Sequence, residues 1–352
     1  MKRLFYTLLF CLPCVLIACG GSDDTLGGDD NPPVVVPPDE ETVDSRLLYN
    51  GIRLPEQWPP VRSSSSELEK GMSPFYLSNK PSVINISVGR QLFVDNFLIE
   101  STNLKRTFYY PEYYSGNPIL TPEQDWEKTG TKGAAFAAPF SDGVWYDEKE
   151  GKYKMWYMAG GGSYATNGAG ITCYAESTDG IRWTKPTLSI VAGTNIVDYN
   201  SERDASVIWM DKQESNASKR YKMFLVARES GKWRYHYKTS PDGKVWRAAA
   251  QSEPIADRST VYKNPFRNVW VYSMRHNVRV NANKLVRARD YNENADPEAG
   301  TKKAEALLSA FWFGPWANEQ RHTDYPNIAP AIYNQDATPY ESIMLGFFSV
   351  WQ

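Results

Sequence analysis

The most constraining feature of this chain is a pattern that occurs twice in its middle. Ser177-Thr178-Asp179-Gly180-Ile181-Arg182-Trp183 is matched by Ser240-Pro241-Asp242-Gly243-Lys244-Val245-Trp246, and the two aspartates stand 63 positions apart. Asp-Gly is tight-turn chemistry, because glycine accepts positive φ and aspartate hydrogen-bonds the backbone of its own turn. Strand-like runs lead into both copies, Ile171 to Ser177 and Trp233 to Ser240. A tryptophan three residues past the glycine can fold back onto the sheet. Each copy therefore predicts a hairpin between two outer strands of one repeating unit.

A second pattern precedes each copy. Val144-Trp145-Tyr146-Asp147, a polar turn and Tyr153-Lys154-Met155-Trp156-Tyr157-Met158 return as Ile208-Trp209-Met210-Asp211, a longer turn and Tyr221-Lys222-Met223-Phe224-Leu225-Val226. A third copy runs Val261-Tyr262, a turn at Lys263-Asn264-Pro265, then Val269-Trp270-Val271-Tyr272-Ser273-Met274. Each unit is then four antiparallel strands in roughly 60–70 residues, the period and content of a β-propeller blade. A β-sandwich lacks so long a period, and β-helix repeats are far shorter. The fold expected is all-β, a β-propeller of four-stranded antiparallel blades beginning near Ala134, Arg203 and Asp257. A fourth start near Tyr340 is followed by an apolar run to Trp351 that stops without a turn or partner. A propeller hides its edge strands by closing on itself. The chain therefore reads as a propeller whose last blade or blades are missing from it.

Composition bears on the remainder of the chain. Met1-Lys2-Arg3 and the apolar run Leu4 to Ile17 form a signal peptide over residues 1–18, too short and Pro13-broken to span a bilayer. Leu16-Ile17-Ala18-Cys19 resembles the lipobox of bacterial lipoproteins, which makes Cys19 the lipidated first residue of the mature protein. Residues 19–45 are rich in Gly, Asp and Pro with little to bury, the composition of a flexible tether. The acidic run after Cys19 resembles the surface-export signal of Bacteroidota lipoproteins. The expected location is thus the bacterial cell envelope, lipid-anchored at the outer membrane and facing outward. Residues 46–130 read as an N-terminal extension with lead-in strands, and 131–352 as the incomplete propeller. Net charge is −2 and no basic patch suggests nucleic acid. Twelve Trp, 22 Tyr and 14 Phe suit strands and clefts where flat rings stack on sugars. Cys173 is the single cysteine outside the signal and Cys19, so no internal disulfide or thiolate metal site is expected.

Innermost strands line a propeller's channel, so acids at their starts face one another. Aligning the units brings Asp142, Asp204 and Asp257 to such places, and Glu341 stands at the fourth start. Glycoside hydrolysis needs two carboxyl groups about 5–10 Å apart. Each acid also has a structural reading. Asp142 precedes Gly143 and can shape a turn, Asp204 can pair with Arg203 or Arg258, and Asp257 adjoins Arg258. Glu341 lies in an apolar run, where an unpaired carboxylate is costly, although an ion pair would suit it too.

Arg203-Asp204 resembles the Arg-Asp pair of glycoside hydrolase family 32. Leu92-Phe93-Val94-Asp95-Asn96-Phe97-Leu98-Ile99, the run Ala138 to Asp147 and Tyr340-Glu341-Ser342-Ile343-Met344-Leu345-Gly346 look like a Bacteroidota group labelled family-32-like. The resemblance covers roughly residues 90–352 and implies the five-bladed propeller of the family 32, 43 and 68 superfamily. It departs in lacking the Trp-Met-Asn-Asp-Pro and Glu-Cys motifs of family 32, and in having Ala205 after Arg203-Asp204. On this reading Glu341 is the general acid, raised by desolvation. Asp142 is base or nucleophile, Asp204 stabilises charge at the anomeric carbon, and Asp257, Arg203 and Arg258 hold substrate. The partner is an oligo- or polysaccharide of a plant or host glycan, and the membrane is met through the lipid alone. The alternatives are a non-catalytic carbohydrate-binding propeller and a protein-interaction propeller.

Other chemistries find no support. His236, His276 and His322 have no zinc spacing, and Gly160-Gly161-Gly162-Ser163 lacks the lysine of a phosphate loop. No metal or cofactor is expected, apart from a structural calcium that the sequence leaves open. Cys19→Ala should move the mature protein from the detergent phase to the aqueous phase in a partition assay; unchanged membrane retention would contradict the lipobox.

Overall fold

A computed structural model of the chain describes residues 44–60, 74–128, 135–281, 284–305, 309–316 and 319–352. The expected signal peptide, Cys19 and all but the last two residues of the tether lie outside the described residues. Strands β1 (Ala137–Ala138) and β2 (Val144–Asp147) pair with opposite ends of one edge of β3 (Lys152–Ala159). They are one inner strand interrupted over 139–143. β4 (Gly170–Ser177) runs antiparallel on the other edge of β3.

The next strand belongs to two units. β5 (Ile196–Met210) sets Ile196 opposite Cys173 and Asp198 opposite Thr172 of β4, then pairs from Glu202 onward with β6 (Tyr221–Glu229). A register shift between Arg203 and Ala205 turns the strand from the outside of the first unit to the inside of the second. The sequence had pointed to a separate outer strand after the Asp179-Gly180 turn. The chain makes a single bridge there, Glu176 to Thr184, and β5 takes the outer place.

β7 (Lys232–Ser240) and β8 (Arg247–Gln251) complete the second unit. β9 (Thr260–Asn264), β10 (Val269–Asn281), β11 (Lys284–Asn294) and β12 (Ala310–Phe313) form the third, a four-stranded sheet in that order. β13 (Ala331–Tyr340) and β14 (Ile343–Trp351) form a fourth, two-stranded one. The fourth inner strand thus starts at Ala331, not near Tyr340 as expected.

Sequence repeats become geometric repeats. Ser177 Oγ accepts from the Gly180 amide at 2.9 Å, and Ser240 Oγ from the Gly243 amide at 2.9 Å. Asp179 Oδ1 accepts from the amides of Ile181 and Arg182, as Asp242 Oδ1 does from Lys244 and Val245. The Tyr-Lys-Met pattern buries a lysine against a turn carboxylate twice, Lys154 on Asp147 at 2.9 Å and Lys222 on Asp211 at 3.0 Å. The third unit has no such turn. Asp296 instead caps the short helix Pro297–Lys303, accepting from the Ala299 amide.

Between units the core is aromatic. Trp145 meets Trp209 edge-on at 4.7 Å, and Trp209 meets Trp270 at 5.8 Å. The inner strands touch in sequence and return to the start. Ile208 donates its amide to Asp142 O, Arg258 holds Asp204, Thr260 donates to Gln335 O, and Ser141 donates to Asp336 at 3.1 Å. This ring of antiparallel units is a β-propeller. The fourth unit has two strands, in keeping with the expected propeller whose last blade is incomplete, and Ser141–Asp336 links its inner strand to the first unit. Among the described residues, the outer edge of β14 has no strand partner.

Described residues 44–128 contain no strand, only the bridge Leu47–Arg53 and two helical turns, so the lead-in strands are not found among them. This segment lies over the third and fourth units. Trp58 donates to Glu293 at 3.0 Å, and Tyr49 donates to Ser342 O at 2.9 Å.

Glycines of the two repeated turns have nearly the same φ, 72° at Gly180 and 74° at Gly243, but different neighbours. A Cβ on Gly243 would lie 2.3 Å from the Trp156 ring of the first unit, whereas one on Gly180 meets nothing nearer than 3.7 Å. Gly180→Ala should cost about 1 kcal/mol of left-handed strain. Gly243→Ala should cost roughly 1–3 kcal/mol more through overpacking. Equal losses in denaturant melts would contradict this docking of the second unit on the first.

Candidate functional site

The interruption between β1 and β2 places Ser141, Asp142 and Gly143 at the axis. Gly143 has φ 120°, and a Cβ there would lie 2.6 Å from Ile208 O, so the close approach of β5 requires glycine. Asp142 is fully buried. Arg203 Nη2 donates to both its oxygens at 2.7 and 2.8 Å, and Arg203 Nη1 donates to Thr172 Oγ1 at 2.6 Å. Burial pushes the Asp142 carboxyl up while the guanidinium pulls it back. No sugar can reach this carboxylate. Its place is a buried ion pair joining the first two inner strands.

Asp204, the residue after Arg203, faces the third unit. Arg258 holds it twice, through Nη2 to Oδ1 at 2.8 Å and through its backbone amide to Oδ2 at 2.7 Å. Burial pushes Asp204 up, Arg258 pulls it down and nearby Asp257 adds to the rise. Arg258 sits at φ 56°, a left-handed position unusual for a side-chain-bearing residue. Its carbonyl accepts from buried Arg289 Nη1 at 2.8 Å, so both peptide groups of this strained residue are fixed. Asp257 lies against Arg275, with Arg287 Nη2 at 3.7 Å.

Glu341 is elsewhere. It occupies the two-residue turn between β13 and β14, at φ 53°, where Arg90 Nε and its backbone amide each donate at 2.9 Å. Arg90 holds its carboxyl below the usual carboxylate range. Glu341 is therefore neither desolvated nor an acid at pH 7. It stands five residues along β13 from the axial contact of Asp336, roughly 16 Å at strand rise. The expected pairing of Glu341 with Asp142 across one glycosidic bond is not made.

In its place the fourth inner strand supplies Asp336, which the sequence reading missed. Asp336 Oδ2 accepts from Ser141 at 3.1 Å and from Asn334 Nδ2 at 2.8 Å. Among the described residues no donor meets Oδ1, and no arginine lies within salt-bridge distance. Burial pushes this carboxyl up to about 6, against the Ser141 and Asn334 hydrogen bonds and the Arg289 charge, which pull it down, with Asp142 adding to the rise. A signal for it was present: Asp336-Ala337-Thr338 repeats Asp204-Ala205-Ser206.

Around these acids runs a ladder of rings and guanidinium groups. The Arg258 guanidinium lies 4.6 Å from the Phe140 ring and 5.3 Å from Tyr333. The Arg287 guanidinium lies 5.5 Å from Tyr333 and 4.5 Å from Trp351. Phe140 and Trp351 are each 40% exposed, which leaves ring faces open at the mouth. Flat exposed rings beside hydrogen-bonding groups are the elements of a sugar cleft.

No protein-family model matches the chain, and no curated protein does. Among solved structures it is similar to a family 32 β-fructofuranosidase of Bombyx mori, at 12% identity and TM-score 0.38 over 59% of this chain. The chain spans 42% of that enzyme's length. An α-L-arabinanase of Cellvibrio cellulosa complexed with arabinohexaose shares 8% identity over 64% of this chain and 72% of its own, with TM-score 0.38. A candidate glycosidase of Bacteroides thetaiotaomicron shares 11% over 66% and 69%, with TM-score 0.41.

The buried pair makes a test. Asp142→Asn leaves a guanidinium without its counter-charge and should cost about 3–5 kcal/mol of stability. Glu341→Gln, at an exposed pair, should leave the unfolding midpoint nearly unchanged. A fully stable Asp142→Asn protein would contradict the structural role given to that residue.

Proposed function

We propose that this chain binds an oligo- or polysaccharide at the axial mouth and cleaves a glycosidic bond there, with Asp336 as the proton-carrying group. The observation that carries this reading is the contrast between Asp336 and its neighbours. Asp142, Asp204 and Asp257 each have an arginine within salt-bridge distance. Asp336 has none that close: its hydrogen-bond donors are the neutral Ser141 and Asn334, and burial pushes it up to about 6. A carboxyl raised to about 6 beside a second carboxyl held by arginine supplies the two groups that glycoside cleavage requires. Asp204, partly exposed and held by Arg258, is the counter-carboxylate that would meet positive charge at the anomeric carbon. Arg203 orders Asp142 rather than substrate. No cofactor enters this reading.

One observation favours a second reading, a sugar-binding propeller without turnover: three of the four axial carboxylates are engaged by arginine. In either case we propose that Cys19 anchors the mature protein by lipid in the bacterial envelope, on the outer membrane facing outward. Support for the anchor is the run Leu16 to Cys19 and the polar tether that follows.

Asp336→Asn should lower hydrolysis of the responsive glycan at least about 100-fold with the fold retained. Activity of the unmodified protein should fall as pH rises through about 6, since the acid must be protonated. Stability should move in the same direction. The folded carboxyl binds protons more tightly than the unfolded one near pH 4, so folding free energy declines as pH rises between those values. Asp336→Asn, which carries no charge to bury, should therefore be more stable at pH 7 by about 1–3 kcal/mol. Undiminished turnover in the variant would remove Asp336 from the chemistry; retained binding with no turnover in either protein would favour the second reading.

A further inference from the structure

Beside the axial acids lies a cavity of ≈ 550 Å³ whose walls include Arg275, Arg287, Asn277, Ile328 and Trp351. Its charge is unbalanced. Arg275 and Arg287 share one carboxylate, Asp257, and Arg275 takes the close contact. Arg287 Nη2 stands 3.7 Å from Asp257, beyond hydrogen-bond distance. Among the described residues the Arg287 guanidinium donates no hydrogen bond. It is held instead by its face, 4.5 Å from Trp351 and 5.5 Å from Tyr333, with its side chain 23% exposed.

A guanidinium fixed by its faces presents its edge, and that edge is a planar fork matched to two oxygens of one anion. Stacking removes the rotamer freedom that an anion would otherwise have to quench. The surplus cation is local, because the whole chain carries net charge −2. We propose that this cavity is a subsite for a sugar residue bearing an anionic group, a uronate carboxylate or a sulfate ester. Arg287 receives the anion edge-on, Arg275 adds a second positive charge, and the exposed Trp351 ring supports the pyranose face. This subsite deepens the glycan-binding reading given above and rests on it, but it does not require turnover.

The test is affinity electrophoresis of the full chain through gels that contain a polyuronate, its methyl-esterified form, a sulfated polygalactan or its desulfated form. Esterification and desulfation remove the charge and leave the sugars. At least tenfold stronger retardation by one anionic polymer than by its neutral form is expected, and the member of the pair that retards identifies carboxylate or sulfate. Arg287→Gln should abolish that preference, and Arg287→Lys should restore part of it, since charge returns without the fork. Arg287 is exposed enough for both variants to fold, which an unchanged unfolding midpoint would verify. Retardation by neither anionic polymer, equal retardation by neutral forms, or a preference that survives Arg287→Gln would overturn the proposal. Hydrolysis of a glycan by a protein that shows no anionic preference in the gels would overturn this subsite and leave the glycosidase reading standing.

Discussion

The buried ion pair of Asp142 and Arg203 is the constraint on which the centre of this molecule depends. A fully desolvated carboxylate and guanidinium depend on each other, because removing either strands the other charge away from water. Here both Asp142 oxygens meet one nitrogen of Arg203, and the other terminal nitrogen meets Thr172 and the Ile171 carbonyl. Because Arg203 is positioned by the bend of β5, the pair couples the inner edge of the first unit to the inner edge of the second. It also fixes Ser141, the neighbour of Asp142, and Ser141 is the donor that meets Asp336 from across the ring.

The same logic repeats at lower burial. Asp204 is held by Arg258, whose left-handed backbone is in turn fixed by Asp204 and Arg289. Farther along, Asp257 lies closest to Arg275, and Arg287 keeps stacking partners and, among the described residues, donates no hydrogen bond. Structural charge pairs thus grade into groups free to meet a ligand. Asp336 stands outside the series because its two donors are neutral, and this distinguishes it chemically more than its position does.

Much of the architecture was legible in the sequence. The Ser-x-Asp-Gly turns predicted equivalent hydrogen bonds at Ser177 and Ser240 and obtained them, since that chemistry is local. Blade order and the axial placement of Asp142, Asp204 and Asp257 followed from the period. Long-range effects were not legible. β5 serves two units because a register shift at Arg203 bends it, and no local signal marks such a bend. Glu341 looked like a desolvated acid because Tyr340 and Ile343 flank it, yet those residues pair with each other and leave Glu341 in the turn between them. Its partner Arg90 is 251 positions away. Asp336 was overlooked because the apolar run after Tyr340 resembled a strand start, although the Asp-Ala-Thr triplet lay just before it.

The central claim is that Asp336, the axial acid with no arginine within salt-bridge distance, is the group that carries the proton. The measurement that addresses it most directly is a 13C NMR titration of the Asp336 side-chain carboxyl in the full chain, assigned by comparison with Asp336→Asn. The structure predicts a midpoint near 6, raised by desolvation and pulled back in part by the Ser141 and Asn334 hydrogen bonds and the Arg289 charge. A midpoint near 4, the ordinary value for a solvated aspartate, would contradict it.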